Sequence, residues 1–265
     1  MKHSSDKLSV SAYDLATLDK IPVIQRLMPE GDGLALDIGI GTGYTTSAVF
    51  GELPAVCVDL HAPNLVFYRS MSSTDPLCVV SPASALPFKS GAFQLILCSE
   101  VLEHLEDDDD AVGEIARVLA DDGRAVITVP YTGLGFTGFL ELCRIKTVHD
   151  YPGPERHVRP GYDETSLGQL LARHGLEIEC HTYYLRLFTK VAVDLVSLAH
   201  LVYQRVVHGR RAWTWSEAAD VEGGLAFKLF RGAFPFLWAF SRLDKMLSGF
   251  RGFGLVASVR KRCSE

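Results

Sequence analysis

Two carboxylates stand at the ends of apolar runs with three alternate glycines between them: Asp37, then Gly39, Gly41 and Gly43, then Asp59. Leu34-Ala-Leu-Asp-Ile38 and Ala55-Val-Cys-Val-Asp59 have the composition of buried strands, so both acids fall where a strand ends. Glycine admits positive φ and leaves no Cβ where a ligand must approach the backbone. A strand that turns sharply beneath a nucleotide-like ligand needs residues of this kind. An acid after the second strand of an α/β unit is placed to accept from ribose hydroxyls. A glycine loop alone serves NAD, FAD or S-adenosylmethionine; the spacing separates them. A dinucleotide fingerprint runs G-x-G-x-x-G, because a helix N-terminus must receive a pyrophosphate. Here the run is D-x-G-x-G-x-G. A carboxylate at Asp37 would repel a pyrophosphate but can receive donors from a cationic amino-acid ligand, which favours S-adenosylmethionine.

A third apolar run, Phe93-Gln-Leu-Ile-Leu-Cys98, leads into Ser99-Glu100-Val-Leu-Glu103-His104. Ser99 and Glu100 thus lie at the carboxyl edge of a strand, where open α/β sheets bind ligands, and Ser99 is expected near the methionyl end. Glu100, Glu103 and His104 share about one helical turn. With a distant histidine such as His157 they have the donors of a hard-metal cluster. The plainer alternative has His104 orienting a loop or facing the substrate, and no metal is assigned on the sequence. Arg156-His157-Val158-Arg159 offers a histidine able to take a proton from a hydroxyl, and basic neighbours able to hold a phosphate. An ordinary surface loop has the same composition. His104 and His157 are the candidate catalytic or acceptor-holding groups.

The elements that must position these residues follow from periodicity. Strands are expected at 34–38, 55–59, 77–80, 93–98 and 123–129, with helices at 43–52, 62–72 and 107–120, the last opened by Asp107–Asp110 at the positive end of its dipole. Alternation at this rhythm implies a parallel sheet with right-handed crossovers. Residues 8–28 have helical spacing broken by Pro22, which predicts two short helices there. From Tyr131 to Pro160 the pattern fails, with at most one helix at 137–146. A helix over 163–175 with a glycine stop, a sixth strand over 176–187 and an antiparallel seventh over 253–262 complete the sheet. Residues 189–250 are apolar and helical where a hairpin would suffice, and Pro235 is expected to kink or end the second of their helices.

In these runs the chain resembles class I S-adenosylmethionine-dependent methyltransferases, in particular the group of the ubiquinone/menaquinone-biosynthesis type. Asp37-x-Gly39-x-Gly41-x-Gly43 matches the family's first motif and Asp59 its ribose acid, with Leu60 beside it. Ala83-Ser84-Ala-Leu-Pro-Phe88 matches the adenine segment, Val101-Leu-Glu-His104 the start of the helix after strand four, and Gly123 to Pro130 strand five. The similarity covers Leu34 to Pro130, with weaker matches over 155–178 and 252–262. Pro82 stands where the family has an acid for the adenine amine, and Gln94 replaces another common acid. The resemblance implies an α/β fold: a doubly wound, seven-stranded, mostly parallel Rossmann-like sheet with a helical insertion before the last strand. It also implies Asp37, Gly39, Gly41, Gly43, Asp59, Leu60, Ala83, Ser84, Ser99 and Glu100 as the cofactor-binding set. Some family members carry a similar Glu-x-x-Glu-His run as a metal site, which makes a metal-dependent RNA O-methyltransferase the rival reading. A catalytically silent binding subunit is a third.

Composition narrows the partners. At 265 residues with 48% hydrophobic and 22% charged, the chain suits one globular domain, with 1–30 as a helical cap, 131–160 as a substrate-side insertion and 189–250 as a lid or membrane-facing segment. Cysteines 57, 78, 98, 143, 180 and 263 are scattered, which suggests a reducing compartment. Met1–Asp6 lacks a signal-peptide pattern, and no stretch is apolar enough to span a bilayer, so a cytoplasmic location is expected. Residues 1–200 carry 15 Lys/Arg against 27 acids, whereas 201–262 carry 11 against four. An acidic body argues against nucleic acid; a basic, apolar tail suits contact with a membrane surface. The expected acceptor is therefore a small, apolar or lipid-linked molecule.

Overall fold

Strand-length apolar runs without alternation must be covered on both faces, and the sheet is built that way. The computed structural model describes residues 14–29, 33–72, 75–135, 138–143, 145, 156–203 and 225–262. Strands β1 (Ala35–Ile38), β2 (Ala55–Asp59), β3 (Leu77–Val80), β4 (Phe93–Ser99) and β5 (Leu119–Pro130) pair in parallel. Strand β7 (Gly254–Lys261) inserts antiparallel between β5 and β6 (Leu176–Tyr184), giving the order β3-β2-β1-β4-β5-β7-β6. The order reverses between β1 and β4, which makes the carboxyl ends of those strands the natural ligand crevice.

Alternate strand residues face opposite helical layers. Leu36, Ile96, Ile127 and Ala257 pack against α4 (Asp108–Val118) and α6 (Glu164–Arg173). Ala35, Leu97, Val126 and Val256 pack against α1 (Leu15–Leu27) and α2 (Tyr44–Phe50). Helix α3 (Ala62–Met71) contributes Leu65 and Tyr68 to a smaller cluster with Ile40 and Cys57. Helix α4 opens on Asp108, Asp109 and Asp110, as the dipole favours, and buries Ala111, Val112, Ile115 and Val118. Helix α6 starts with a capping box between Asp163 and Ser166.

Several boundaries differ from the sequence expectation. Pro22 does not split the N-terminal helix: α1 runs through it, because Ile21, Val23 and Ile24 are buried and packing outweighs the lost hydrogen bond. Residues 8–13 of that stretch lie outside the described residues. Strand β5 begins at Leu119 rather than 123, and a register shift against β4 between Phe93 and Leu95 absorbs the added residues. Strand β6 stops at Tyr184, since Leu185 turns to φ 53° and gives its N–H to Asp19 instead of the sheet. Of the helix expected at 137–146 there is one turn, α5 (Phe139–Leu142); 136–137, 144 and 146–155 lie outside the described residues.

The segment before β7 holds α7 (Leu187–Tyr203), α8 (Leu225–Ser241) and a 3₁₀ turn, Arg242–Leu247. Pro235 does not end α8. The helix is exposed around Arg231 and Pro235, so water can take the place of the missing donor. Asp244 is buried and accepts from the N–H groups of Phe188 and Thr189 at 2.8 Å each, satisfying free amides in the first turn of α7. Helix α7 packs on α1 and on α8, so the insertion is attached to the face of the sheet that carries the N-terminal helix.

Candidate functional site

The loop after β1 is shaped by its glycines and fastened by an acid. Gly43 has φ +72°, and a Cβ there would strike the buried Tyr68 ring; a Cβ on Gly39 would strike Val101. Gly41 (φ +53°) faces open space. The loop is held closed from β2: Asp59 accepts from the N–H of Gly41 (3.1 Å), the N–H of His61 (2.7 Å) and the side-chain amide of Asn64 (3.1 Å). The second carboxylate thus organises the glycine loop, in addition to standing at the end of β2 as the spacing predicts. Leu60, next to it, is 63% exposed.

Asp37 is buried at the end of β1 and accepts from the Thr46 hydroxyl in the first turn of α2. Burial pushes its carboxyl up to about 7; the Thr46 hydrogen bond and Lys20 oppose the shift, and Asp59 adds to it. Lys20 is itself buried, on α1, with its ammonium 6.0 Å from the centre of the Tyr184 ring. Thr46 and Lys20 escaped the sequence reading. A hydroxyl nine residues after the strand acid, in the first turn of the next helix, was the available clue to Thr46; Lys20 left none, because nothing in its helix marks it off from the other polar residues Thr17, Asp19, Gln25 and Arg26.

At the ends of β4, β5 and β6 a hydrogen-bonded chain links Ser99, Thr128, Glu100 and Tyr184. The Ser99 and Thr128 hydroxyls lie 3.0 Å apart, and Glu100 Oε1 accepts from Thr128 (2.8 Å) and from the Tyr184 hydroxyl (2.7 Å). Glu100 occupies a left-handed φ of 55°, and its N–H donates to the Thr128 carbonyl. Burial and the neighbouring Glu100 hold the Tyr184 hydroxyl well above its ordinary range. In the segment after β3, Ala83 is buried within the main core, Ser84 is half-buried, and the Ser81 hydroxyl donates to the Ala85 carbonyl at 2.7 Å.

The structure gathers Glu103, His104 and His157, with ligand atoms within 4.8 Å of one another, and leaves Glu100 to the network above. Glu103 is fully buried, and neither of its carboxylate oxygens has a hydrogen-bond partner among the described residues. Burial, with Glu100 nearby, raises its carboxyl well above the usual range. His104 Nδ1 lies 3.0 Å from the Arg156 carbonyl, its Nε2 3.8 Å from Glu103 Oε1, and its ring meets that of His157 edge-on at 4.8 Å. The Arg156–Arg159 stretch is seated by backbone bonds from Val158 and Arg159 to the Glu103 carbonyl. Arg159 pairs with Asp108 and donates to the Leu105 carbonyl at 2.5 Å, so it fastens this loop instead of presenting a free phosphate-binding cation.

Comparison with known proteins places the sequence and the fold among methyltransferases. Residues 36–127 match the family model described as a methyltransferase domain. The malonyl-[acyl-carrier protein] O-methyltransferase of Geobacter sulfurreducens is 34% identical over 108 residues, 38% of this chain and 40% of the relative. The ubiquinone/menaquinone biosynthesis C-methyltransferase UbiE of Geotalea uraniireducens is 28% identical over 36% of this chain and 44% of the relative. The cyclopropane synthase MmaA2 of Mycobacterium tuberculosis superposes with a TM-score of 0.56 at 16% identity, covering 92% of this chain and 84% of that one. Residues 36–127 therefore carry a methyltransferase domain, and the matches together support a class I S-adenosylmethionine-dependent methyltransferase. The chain's matches span less than half the length of these two curated relatives.

Proposed function

We propose that the protein methylates a small, apolar or lipid-linked acceptor, such as a quinone precursor or a lipid-linked sugar, on oxygen or carbon. The observation that carries the methyl-donor half is the crevice itself: a buried carboxylate at Asp37, and a left-handed, open Gly41 fastened by Asp59. These residues fit S-adenosylmethionine, with Asp37 toward the cationic amino-acid end, Asp59 and Leu60 toward the ribose, Ala83 and Ser84 toward the adenine, and Ser99 and Glu100 toward the methionyl end. Bound there, the cofactor supplies an electrophilic methyl on a sulfonium. The chain's own contribution is to hold donor and acceptor in line and to exclude water, which supplies most of the acceleration such a transfer needs. His104 and His157 stand ready to take the proton of a hydroxyl acceptor.

The acceptor half rests on the exposed apolar surface before β7, and the same reading makes the enzyme a cytoplasmic protein touching the membrane through 189–250. The test is mass spectrometry of cell extracts incubated with the protein and labelled methyl donor. Label in the lipid-extractable fraction supports the reading; label confined to the polar fraction removes it.

Asp37 gives the donor site a pH signature. Its carboxyl, lifted to about 7, holds a proton in the empty site at slightly acid pH, and a cationic ligand favours the ionised form. Binding then releases a proton, so affinity for S-adenosylmethionine rises as pH climbs toward about 7 and levels off above it. The same raised value lowers folding stability as pH climbs from about 4 to 7, because there the native state holds more protons than the unfolded chain. Calorimetry in two buffers of different ionisation enthalpy reads the proton release directly; Asp37→Asn should abolish it.

A second reading is favoured by the unpartnered Glu103 carboxylate beside His104 and His157. One carboxylate and two imidazoles suit a divalent cation that would polarise a hydroxyl acceptor. On this reading EDTA stops turnover, and Mn²⁺ raises the melting temperature of the native protein but not of Glu103→Gln. Turnover undisturbed by EDTA leaves the histidines as proton acceptors only.

A further inference from the structure

We infer that α8 and the 3₁₀ turn after it form a platform lying on an anionic lipid bilayer. This deepens the lipid-linked acceptor reading and depends on it only for the source of the substrate. Phe236, Phe240, Leu243, Met246 and Phe250 recur at spacings of four, three, three and four, which sets them on one side of the helix and the tighter turn continuing it. All five are exposed, Phe236 at 78%, Met246 at 80% and Phe250 at 65%. Trp238, 44% exposed, lies beneath the Arg242 guanidinium at 5.1 Å. So many large apolar side chains facing water mark a surface made for something other than water.

The charge pattern selects the occupant. Lys228, Arg231, Arg242 and Lys245 are the exposed charged side chains of α8 and the turn after it; Arg251, just beyond, is paired with Glu164 at 3.5 Å. The one acid in that span, Asp244, is buried and occupied with the amides of α7. An apolar stripe escorted only by cations is the complement of a headgroup layer carrying negative charge, each base near it adding about fivefold in affinity. A second copy of this chain would set cations against cations. Among the described residues no helix is long and apolar enough to cross a membrane, so the contact lies in the interface. The platform is coupled to the acceptor side: in α7, buried Asp194 pairs with Lys190 and accepts from the Phe139 N–H at 2.7 Å, at the start of α5. Seating α8 on lipid therefore fixes the chain leaving β5 relative to the bilayer.

The test is vesicle co-sedimentation of the full chain. Vesicles with about one-third phosphatidylglycerol should bind it at least tenfold more tightly than pure phosphatidylcholine. Phe236→Ser/Met246→Ser/Phe250→Ser should lose binding at least tenfold; Arg242→Glu/Lys245→Glu should lose the preference for anionic lipid. S-adenosylmethionine binding by calorimetry should be unchanged in both, which shows them folded and separates this result from the methyl-transfer assay. Native protein that ignores anionic vesicles, variants that sediment like it, or a native dimer dissolved by the serine substitutions overturns the inference.

Discussion

Asp59→Ala weakens S-adenosylmethionine binding about a hundredfold, as measured by calorimetry, while leaving the sheet intact. The carboxylate receives three donors, two of them backbone N–H groups of different segments, Gly41 and His61. Hydrogen bonds to a charged acceptor contribute about 1.5–3 kcal/mol each, and losing them frees the glycine loop from β2. On the proposed reading the ribose loses its acceptor as well. About 2.7 kcal/mol of these losses reaching the ligand is a factor of one hundred. Asp59→Asn is a useful companion: it keeps the shape but turns one oxygen into a donor facing backbone N–H groups, so it should bind nearly as poorly as alanine. A dissociation constant within threefold of the native value for both variants would mean that Asp59 is a loop staple and nothing more.

The parts of this molecule that could be read from its sequence are those with local physical causes. β1, β2 and β4 are short runs covered on both faces, so their apolar continuity survives in the sequence, and Asp37 and Asp59 mark their ends. Gly39, Gly41 and Gly43 were legible because a backbone at positive φ demands the residue type. What stayed hidden depends on partners far along the chain. Tyr184 reaches Glu100 across 84 residues, and Lys20 comes from a helix whose continuity through Pro22 is decided by burial, not by propensity. The Glu100-x-x-Glu103-His104 spacing suggested that both acids share a site. The backbone at Glu100 instead adopts φ 55° and its side chain joins Thr128 and Tyr184, so the third group gathered with Glu103 and His104 is His157, 53 residues beyond His104. A spacing argument assumes regular helix, and that assumption fails where the chain turns.

The three loop glycines look equivalent in the sequence, yet the fold makes them unequal, and substitution should separate them. Gly43→Ala costs about 4 kcal/mol of stability. A left-handed φ of 72° charges an L-residue about 1–2 kcal/mol, and the added methyl enters the ring of Tyr68, which is 5% exposed and packed with Leu65 and Ile40. At this chain length that is a fall of roughly 10 °C in melting temperature. Gly41→Ala, with φ 53° but nothing within 4 Å of its methyl, pays the conformational part alone, about 1 kcal/mol. Its methyl stands instead in the open space beside the Asp59 clamp, so its main effect is on the ligand, at least tenfold in affinity. Thermal melts and titrations of the two variants should therefore rank them in opposite orders. Equal melting temperatures would mean that Tyr68 yields to the methyl, and equal native-like affinities would take Gly41 out of the donor site.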